Sequence, residues 1–165
     1  MDYTGGNDMQ KGVRRMEYDY SGHMGERWWR NGNETLDTIP KEELLRLIAE
    51  ELTGAMVYLE LSRQYTGREA AMLRRLYEEK HAHFTCLKGV YTLITGEHPV
   101  VRAAPKETGN LNNTLRWCYG QEMRCLVSYE THRENREYGP VFEKLAAQEQ
   151  EHCKMLLEII GSKKK

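Results

Sequence analysis

The sequence has little of several features that would assign it to a familiar class. Its four cysteines, Cys86, Cys118, Cys125 and Cys153, form no C-x-x-C pair, which excludes a zinc ribbon and a rubredoxin-type iron site. No apolar run approaches the roughly 20 residues of a membrane span. The net charge of −1 offers no basic field for nucleic acid or a membrane surface. The first residues lack the apolar core of a secretory signal. We therefore expect a cytoplasmic protein with reduced cysteines that binds neither nucleic acid nor membrane.

The chain changes character after its first 36 residues. Residues 1–36 are rich in Gly, Asn, Tyr and charge, and they show no sustained apolar periodicity. Such a segment cannot bury enough apolar surface to offset its ordering entropy, so we predict a flexible arm. The alternative is that Trp28 and Trp29 dock this arm on a hydrophobic surface. Residues 37–162 are predicted to form a single domain.

That domain has the pattern of four helices. From Thr38 onward, apolar residues recur at steps of three and four in four segments, as in amphipathic helices. Breaks fall at Thr66-Gly67, at residues 96–110 with two prolines and two glycines, and at Gly139-Pro140. The two short breaks favour antiparallel neighbours, and fifteen extended residues reach up to about 50 Å, the length of a bundle. The sequence predicts an all-α four-helix bundle of two helical hairpins joined by a long crossover.

One arrangement of side chains occurs twice, 71 residues apart (122 − 51 = 71). Glu51, Tyr58, Glu78 and His81 recur as Glu122, Tyr129, Glu149 and His152. A lone Glu followed by Glu-x-x-His, present in both halves, is the ligand set with which four-helix bundles hold two metal ions. Each of these glutamates taken singly fits a solvated helix edge equally well, and it is the recurrence that favours metal.

The predicted metal ligands are therefore Glu51, Glu78, His81, Glu122, Glu149 and His152. Carboxylate and imidazole ligands suit iron and manganese. Without metal, clustered carboxylates repel one another, so we expect their pKa values to be raised in the metal-free protein.

Three further residues are candidates for contact with the ligands. Tyr58 and Tyr129 lie two turns after the lone glutamates, where each hydroxyl either bonds a ligand of the opposite half or is satisfied elsewhere in the core. Cys125 lies one turn after Glu122 and is either a small apolar filler or a redox-active neighbour of the metals. His83, two residues beyond His81, is predicted to face solvent, as is Glu79.

Four segments resemble the ligand segments of the ferritin-like superfamily, nearest to the rubrerythrin-type diiron domain. They are ELTGAMVYLELSRQ, LYEEKHAHF, GQEMRCLVSY and AAQEQEHCKML, and the resemblance covers about residues 40–160. It implies two iron ions, or manganese, held by the same six residues. It also implies a reaction with hydrogen peroxide or dioxygen, and we expect a homodimer.

The sequence departs from the rubrerythrin pattern in two places. Rubrerythrins usually carry a second glutamate on the third helix, one turn after the first, where this chain has Cys125. They also commonly carry a rubredoxin-like electron donor with paired C-x-x-C, which this sequence lacks. The expected function is thus a non-haem diiron oxidoreductase that reduces peroxide or dioxygen while oxidising Fe(II), served by a separate electron-donor protein. The alternatives are iron binding or storage without turnover, and a structural ferritin-like protein.

Overall fold

A computed structural model describes residues 39–104 and 108–162 of the chain. Within these residues there are four helices and no strand: α1 (Lys41–Gln64), α2 (Gly67–Thr95), α3 (Leu111–Thr131) and α4 (Gly139–Ser162). The predicted all-α, four-helix architecture is confirmed. The predicted flexible arm, residues 1–36, lies outside the described residues. No helix in the described part of the chain combines the length and apolar character needed to cross a membrane.

The helix ends follow local chemistry. Glu42 and Glu43 occupy the first turn of α1 and Arg63 its last, where each charge opposes the helix dipole. Gly96 ends α2 in the left-handed conformation, φ 72°, and its N–H bonds Thr92 O, as in a common helix stop.

The turns before α3 and α4 depend on two residues. The Asn110 side chain accepts a hydrogen bond from Asn113 N and caps α3. At the start of α4, a Cβ on Gly139 would collide with the Arg133 carbonyl oxygen, so this turn requires glycine.

The helices pair as two antiparallel hairpins, α1 with α2 and α3 with α4. Contacts between the hairpins show that α1 and α3 are also antiparallel, because Tyr58 bonds Glu122 while Tyr129 bonds Glu51.

The segment between α2 and α3 contacts α1 at three heights. Glu97 pairs with Lys41, Ala104 N donates to Thr53 Oγ1, and Thr108 Oγ1 accepts from Gln64. Residues 105–107 of this segment are not among those described.

The core consists of two hydrophobic clusters separated by a polar layer. Ile48 on α1, Leu87 on α2 and Phe142 on α4 belong to the first cluster, and Val57 and Leu76 to the second. Between the two clusters, all four helices place polar side chains at one height, and these side chains are fully buried. The layer consists of Glu51, Lys80, His83, Glu122, Glu149 and His152.

Candidate metal centre

The buried layer contains four of the six ligands predicted from the sequence. Glu51, Glu122, Glu149 and His152 are each at most 1% exposed. Their common height on the four helices brings them together, and their role as metal ligands stays a prediction.

The other two predicted ligands, Glu78 and His81, are not in this layer. Both side chains are exposed on the outer face of α2. The prediction that they join the cluster is wrong. On α2, Lys80 and His83 lie in the layer instead of Glu78 and His81. The prediction that His83 faces solvent is therefore also wrong.

The reason is that α2 buries a different face from the predicted one, so the pair of positions that enters the layer moves by two residues, from 78 and 81 to 80 and 83. Tyr77, His81 and Phe84 form one stripe along α2, at steps of four and three, but the aliphatic residues Leu73, Leu76 and Leu87 form another. The buried residues of α2 follow steps of three and four through the polar layer: Leu73, Leu76, Lys80, His83, Leu87 and Val90. This stripe can be read from the sequence, but its middle residue is a lysine, which is almost never fully buried unless it is paired.

The two halves of the sequence repeat are therefore related by two different spacings, one for α1 with α3 and another for α2 with α4. Glu51 and Glu122 are 71 residues apart, as are Tyr58 and Tyr129, whereas His83 and His152 are 69 apart (152 − 83 = 69). The rings of the two histidines stack with centroids 5.4 Å apart. Lys80 thus corresponds to Glu149 (149 − 80 = 69).

Lys80 is the centre of the polar layer. Its Nζ lies 2.8 Å from Glu51 Oε1, 3.1 Å from Glu149 Oε1 and 3.4 Å from Glu122 Oε2. Burial alone would lower the pKa of Lys80, but the charges of Glu122, Glu149 and Glu51 outweigh it and raise the pKa well above the usual range. The raised pKa favours the ammonium form of Lys80 among the three carboxyl groups.

The two tyrosines bond the lone glutamates of the opposite half. Tyr58 donates to Glu122 Oε1 at 2.6 Å, and Tyr129 donates to Glu51 Oε1 at 2.5 Å. Of the two alternatives left open by the sequence, the structure shows the hydrogen bond in both cases. Each phenol fixes one carboxylate oxygen and leaves the other directed into the layer.

Cys125 is buried at the edge of this layer. Its Sγ lies 4.0 Å from Lys80 Nζ and 3.7 Å from Glu50 Oε2. Burial raises the pKa of the thiol well above its usual value, so the sulfur is a neutral thiol, which is a poor nucleophile and a poor metal ligand. This environment favours the filler interpretation of Cys125.

The carboxyl groups titrate differently from one another. For Glu51 and Glu122, burial would raise the pKa, but Lys80 and a neighbouring histidine lower it below the usual value. For Glu149, burial and the charge of Glu122 raise the pKa to about 7. The expectation of uniformly raised carboxyl pKa values is thus wrong for two of the three, because Lys80 supplies the missing cation.

The histidines gain protons from the same surroundings. Burial lowers the pKa of His83, but its bonds to Glu149 and Glu51 raise it to about 9. His152 behaves likewise beside Glu122 and Glu149, with a pKa of about 10. The three cations Lys80, His83 and His152 therefore face three carboxyl groups, two of them ionised and the third, Glu149, exchanging its proton near neutral pH. These cations can compensate the carboxyl groups without a bound ion.

Two groups in the layer have the donor set of a metal site. Glu51, His83 and Glu149 form one group, and Glu122, Glu149 and His152 form the other. In each group the ligand atoms lie within 4.8 Å of one another, and all the residues are buried. Glu51 Oε2 and Glu149 Oε2 accept no hydrogen bond within the described structure. Carboxylate oxygens and imidazoles of this kind fit a divalent transition metal.

Comparison with known proteins gives no relative to set beside this geometry. No family model, no curated protein and no solved structure matches the chain. The resemblance to the rubrerythrin-type domain rests on the residues alone.

Gly54 makes room for Lys80. A Cβ on Gly54 would lie 3.0 Å from Lys80 Cε, and the lysine cannot move away because three carboxyl groups hold its Nζ. We expect Gly54→Ala to lower the free energy of unfolding by about 1–3 kcal/mol through overpacking. Gly89→Ala is the matched control, since Gly89 lies in α2 with open space around it. It should stabilise the protein by about 0.5–1 kcal/mol through helix propensity. Urea denaturation of both variants measures the difference, and two stabilising substitutions would contradict the packing argument.

Proposed function

We propose that this chain is a ferritin-like metalloprotein of the rubrerythrin type. Its buried cluster binds iron, or manganese in its place, and exchanges electrons with hydrogen peroxide or dioxygen. The observation that carries the proposal is the fully buried layer of three glutamates and two histidines contributed by all four helices. Burying carboxylates is costly unless cations or hydrogen bonds compensate them. Within the described residues, Glu51 Oε2 and Glu149 Oε2 accept no hydrogen bond and face histidine nitrogens, at 3.3 and 3.4 Å, so these oxygens are suited to a metal ion.

The ferritin-like assignment is supported by the helix arrangement. Two antiparallel hairpins, with α1 antiparallel to α3, require a connection that crosses the length of the bundle, and the contacts of residues 97, 104 and 108 with α1 follow such a path. The lone glutamates of α1 and α3 and Glu149-x-x-His152 of α4 match the ligand layout of that fold, whereas on α2 only His83 does, because Lys80 stands where the layout has a glutamate.

The protein's own residues would hold the metal and exclude water. When bound, iron would supply the redox chemistry, passing electrons to peroxide or dioxygen. Tyr58 and Tyr129 fix the orientation of Glu122 and Glu51, and the two hydrophobic clusters close the layer from above and below. Glu149, with a pKa of about 7, can hold or release a proton inside the layer near neutral pH. We include a separate electron-donor protein and a homodimer in this proposal.

Metal binding can be tested with a pair of glutamate variants. Glu149→Gln removes a carboxylate shared by both candidate groups, whereas Glu78→Gln changes an exposed glutamate of α2. We expect anaerobic Fe(II) titration to show binding to the wild type, a loss of affinity of at least roughly 100-fold in Glu149→Gln, and no change in Glu78→Gln. Stopped-flow mixing of the Fe(II) protein with peroxide should then show oxidation. A wild-type protein that binds no Fe(II) would refute the proposal, and loss of binding in Glu78→Gln would refute the ligand set.

A structural role is the second candidate, and Lys80 is the observation that favours it. Because Lys80 and the two histidines neutralise the carboxylates without an ion, the layer can join the four helices by itself. Unchanged thermal stability on addition of Fe(II), together with no peroxide-dependent oxidation, would support this role over the redox function.

A further inference from the structure

The two halves of the polar layer differ at one position. On α4, Glu149 precedes His152 by three residues, and at the equivalent place on α2 Lys80 precedes His83 by three. A symmetric dinuclear site would have a carboxylate at both positions. The first half therefore presents an ammonium group where the second half offers a metal ligand.

Lys80 is accommodated by several independent features. Its side chain is 1% exposed, all three carboxyl groups lie within 3.4 Å of its Nζ, and the absence of a side chain at Gly54 leaves space for its methylene groups. The surrounding residues therefore fit both the methylene chain of Lys80 and its ammonium group, as expected if Lys80 is an integral part of the layer.

The histidines show the same asymmetry. His152 Nδ1 faces Glu122 Oε2 at 3.0 Å, and its other nitrogen, Nε2, lies 2.8 Å from Glu79 Oε2. Glu79 is itself held by Arg75 at 2.7 Å. A carboxylate on the distal nitrogen is the arrangement that orients a metal-binding histidine and raises its basicity.

His83 lacks this support. Its Nδ1 faces Glu149 and Glu51 at 3.0 and 3.3 Å, but its Nε2 has no hydrogen-bond partner in the described structure. The residue equivalent to Glu79 is Gln148 (148 − 79 = 69). Among the described residues, only the half formed by α3 and α4 therefore supplies two glutamates and a histidine of its own, Glu122, Glu149 and His152. Only in this half does a further carboxylate contact the second nitrogen of the histidine.

We propose that the layer binds one divalent metal ion, at Glu122, Glu149 and His152, and that the Lys80 ammonium takes the place of the second ion of a dinuclear centre. With both histidines in the neutral form that binds metal, one divalent ion and Lys80 together balance the charge of Glu51, Glu122 and Glu149 (2 + 1 = 3). Two divalent ions with Lys80 would leave two excess positive charges in a dry layer (4 + 1 − 3 = 2), which is strongly unfavourable. The predicted pair of irons becomes a single ion.

This inference rests on the proposed function, because it requires that the layer bind metal at all. Its test is the number of Mn(II) ions bound per chain, measured by metal analysis and by electron paramagnetic resonance of the loaded protein. We expect about one ion per wild-type chain, with the signal of an isolated ion, and about two in Lys80→Glu, with exchange coupling between neighbouring ions.

A second pair of variants keeps the test decisive if Lys80→Glu does not fold. His152→Gln should weaken Mn(II) binding at least roughly tenfold more than His83→Gln does. Two coupled ions in the wild type, or equal losses in the two histidine variants, would overturn the single-ion site and leave the proposed function standing. A wild type that binds no Mn(II) or Fe(II) would overturn both.

Discussion

Lys80→Met should destabilise the metal-free protein by about 3–5 kcal/mol, the usual loss when one partner of a buried ion pair is removed. Methionine keeps most of the volume and the flexible stem of lysine but lacks its charge. Glu51, Glu122 and Glu149 would then be left with only the two histidines as cations. At least one carboxylate must take up a proton or remain buried without compensation, and either outcome weakens the folded state.

Urea denaturation at neutral pH with a chelator present measures this loss as a lower transition midpoint with an unchanged slope. Lys154→Met is the matched control, since Lys154 lies on the exposed face of α4, where it pairs with Glu151. Exposed pairs contribute about 0–1 kcal/mol, so this variant should stay close to the wild type. Equal effects of the two substitutions would show that Lys80 is not the cation on which the layer depends.

The stability of the metal-free protein should decrease on the alkaline side of neutrality. His83 and His152 have pKa values of about 9 and about 10 in the folded protein, above the value near 6.5 of an unfolded histidine. Their contribution is complete below about pH 6.5 and is lost as the pH rises through 9 and 10. Glu149 acts in the same direction at lower pH, since its contribution is complete below the unfolded value of 4.5 and is lost as the pH rises to its folded pKa of about 7.

Glu51 and Glu122 have the opposite dependence. Their lowered pKa values stabilise the fold above about pH 4.5, and this contribution is lost on acidification. We therefore expect the free energy of unfolding to be greatest near about pH 5 and to fall by several kcal/mol by about pH 10.

Urea titrations across this range with a chelator present would measure the pH profile. His152→Asn should flatten the alkaline decrease, while His81→Asn, on the exposed face of α2, should retain it. A stability that stays level from pH 6 to 10 would contradict the charge assignment of the layer.

The sequence by itself determined the helical architecture and four of the six residues of the buried layer. Breaks at Thr66-Gly67 and Gly139-Pro140 and the periodicity of apolar residues fix four helices, because these signals are local. Glu51 and Glu122 lie inside strongly apolar stripes, so their inward direction follows from helix geometry alone. The same reasoning places Glu149 and His152 between Leu145 and Leu156.

Only the tertiary structure decided which face of α2 is buried. Its sequence allows two stripes about one residue apart, one with Tyr77, His81 and Phe84 and the other with Leu76, Lys80, His83 and Leu87. Judged from α2 alone, the stripe that contains Lys80 is the less favourable one to bury, because burying an isolated ammonium group is costly. Glu51, Glu122 and Glu149 come from three other helices, and only when they meet at one height does Lys80 become favourable inside. That compensation depends on contacts 29 to 69 residues apart in the chain, and no periodicity within α2 contains it.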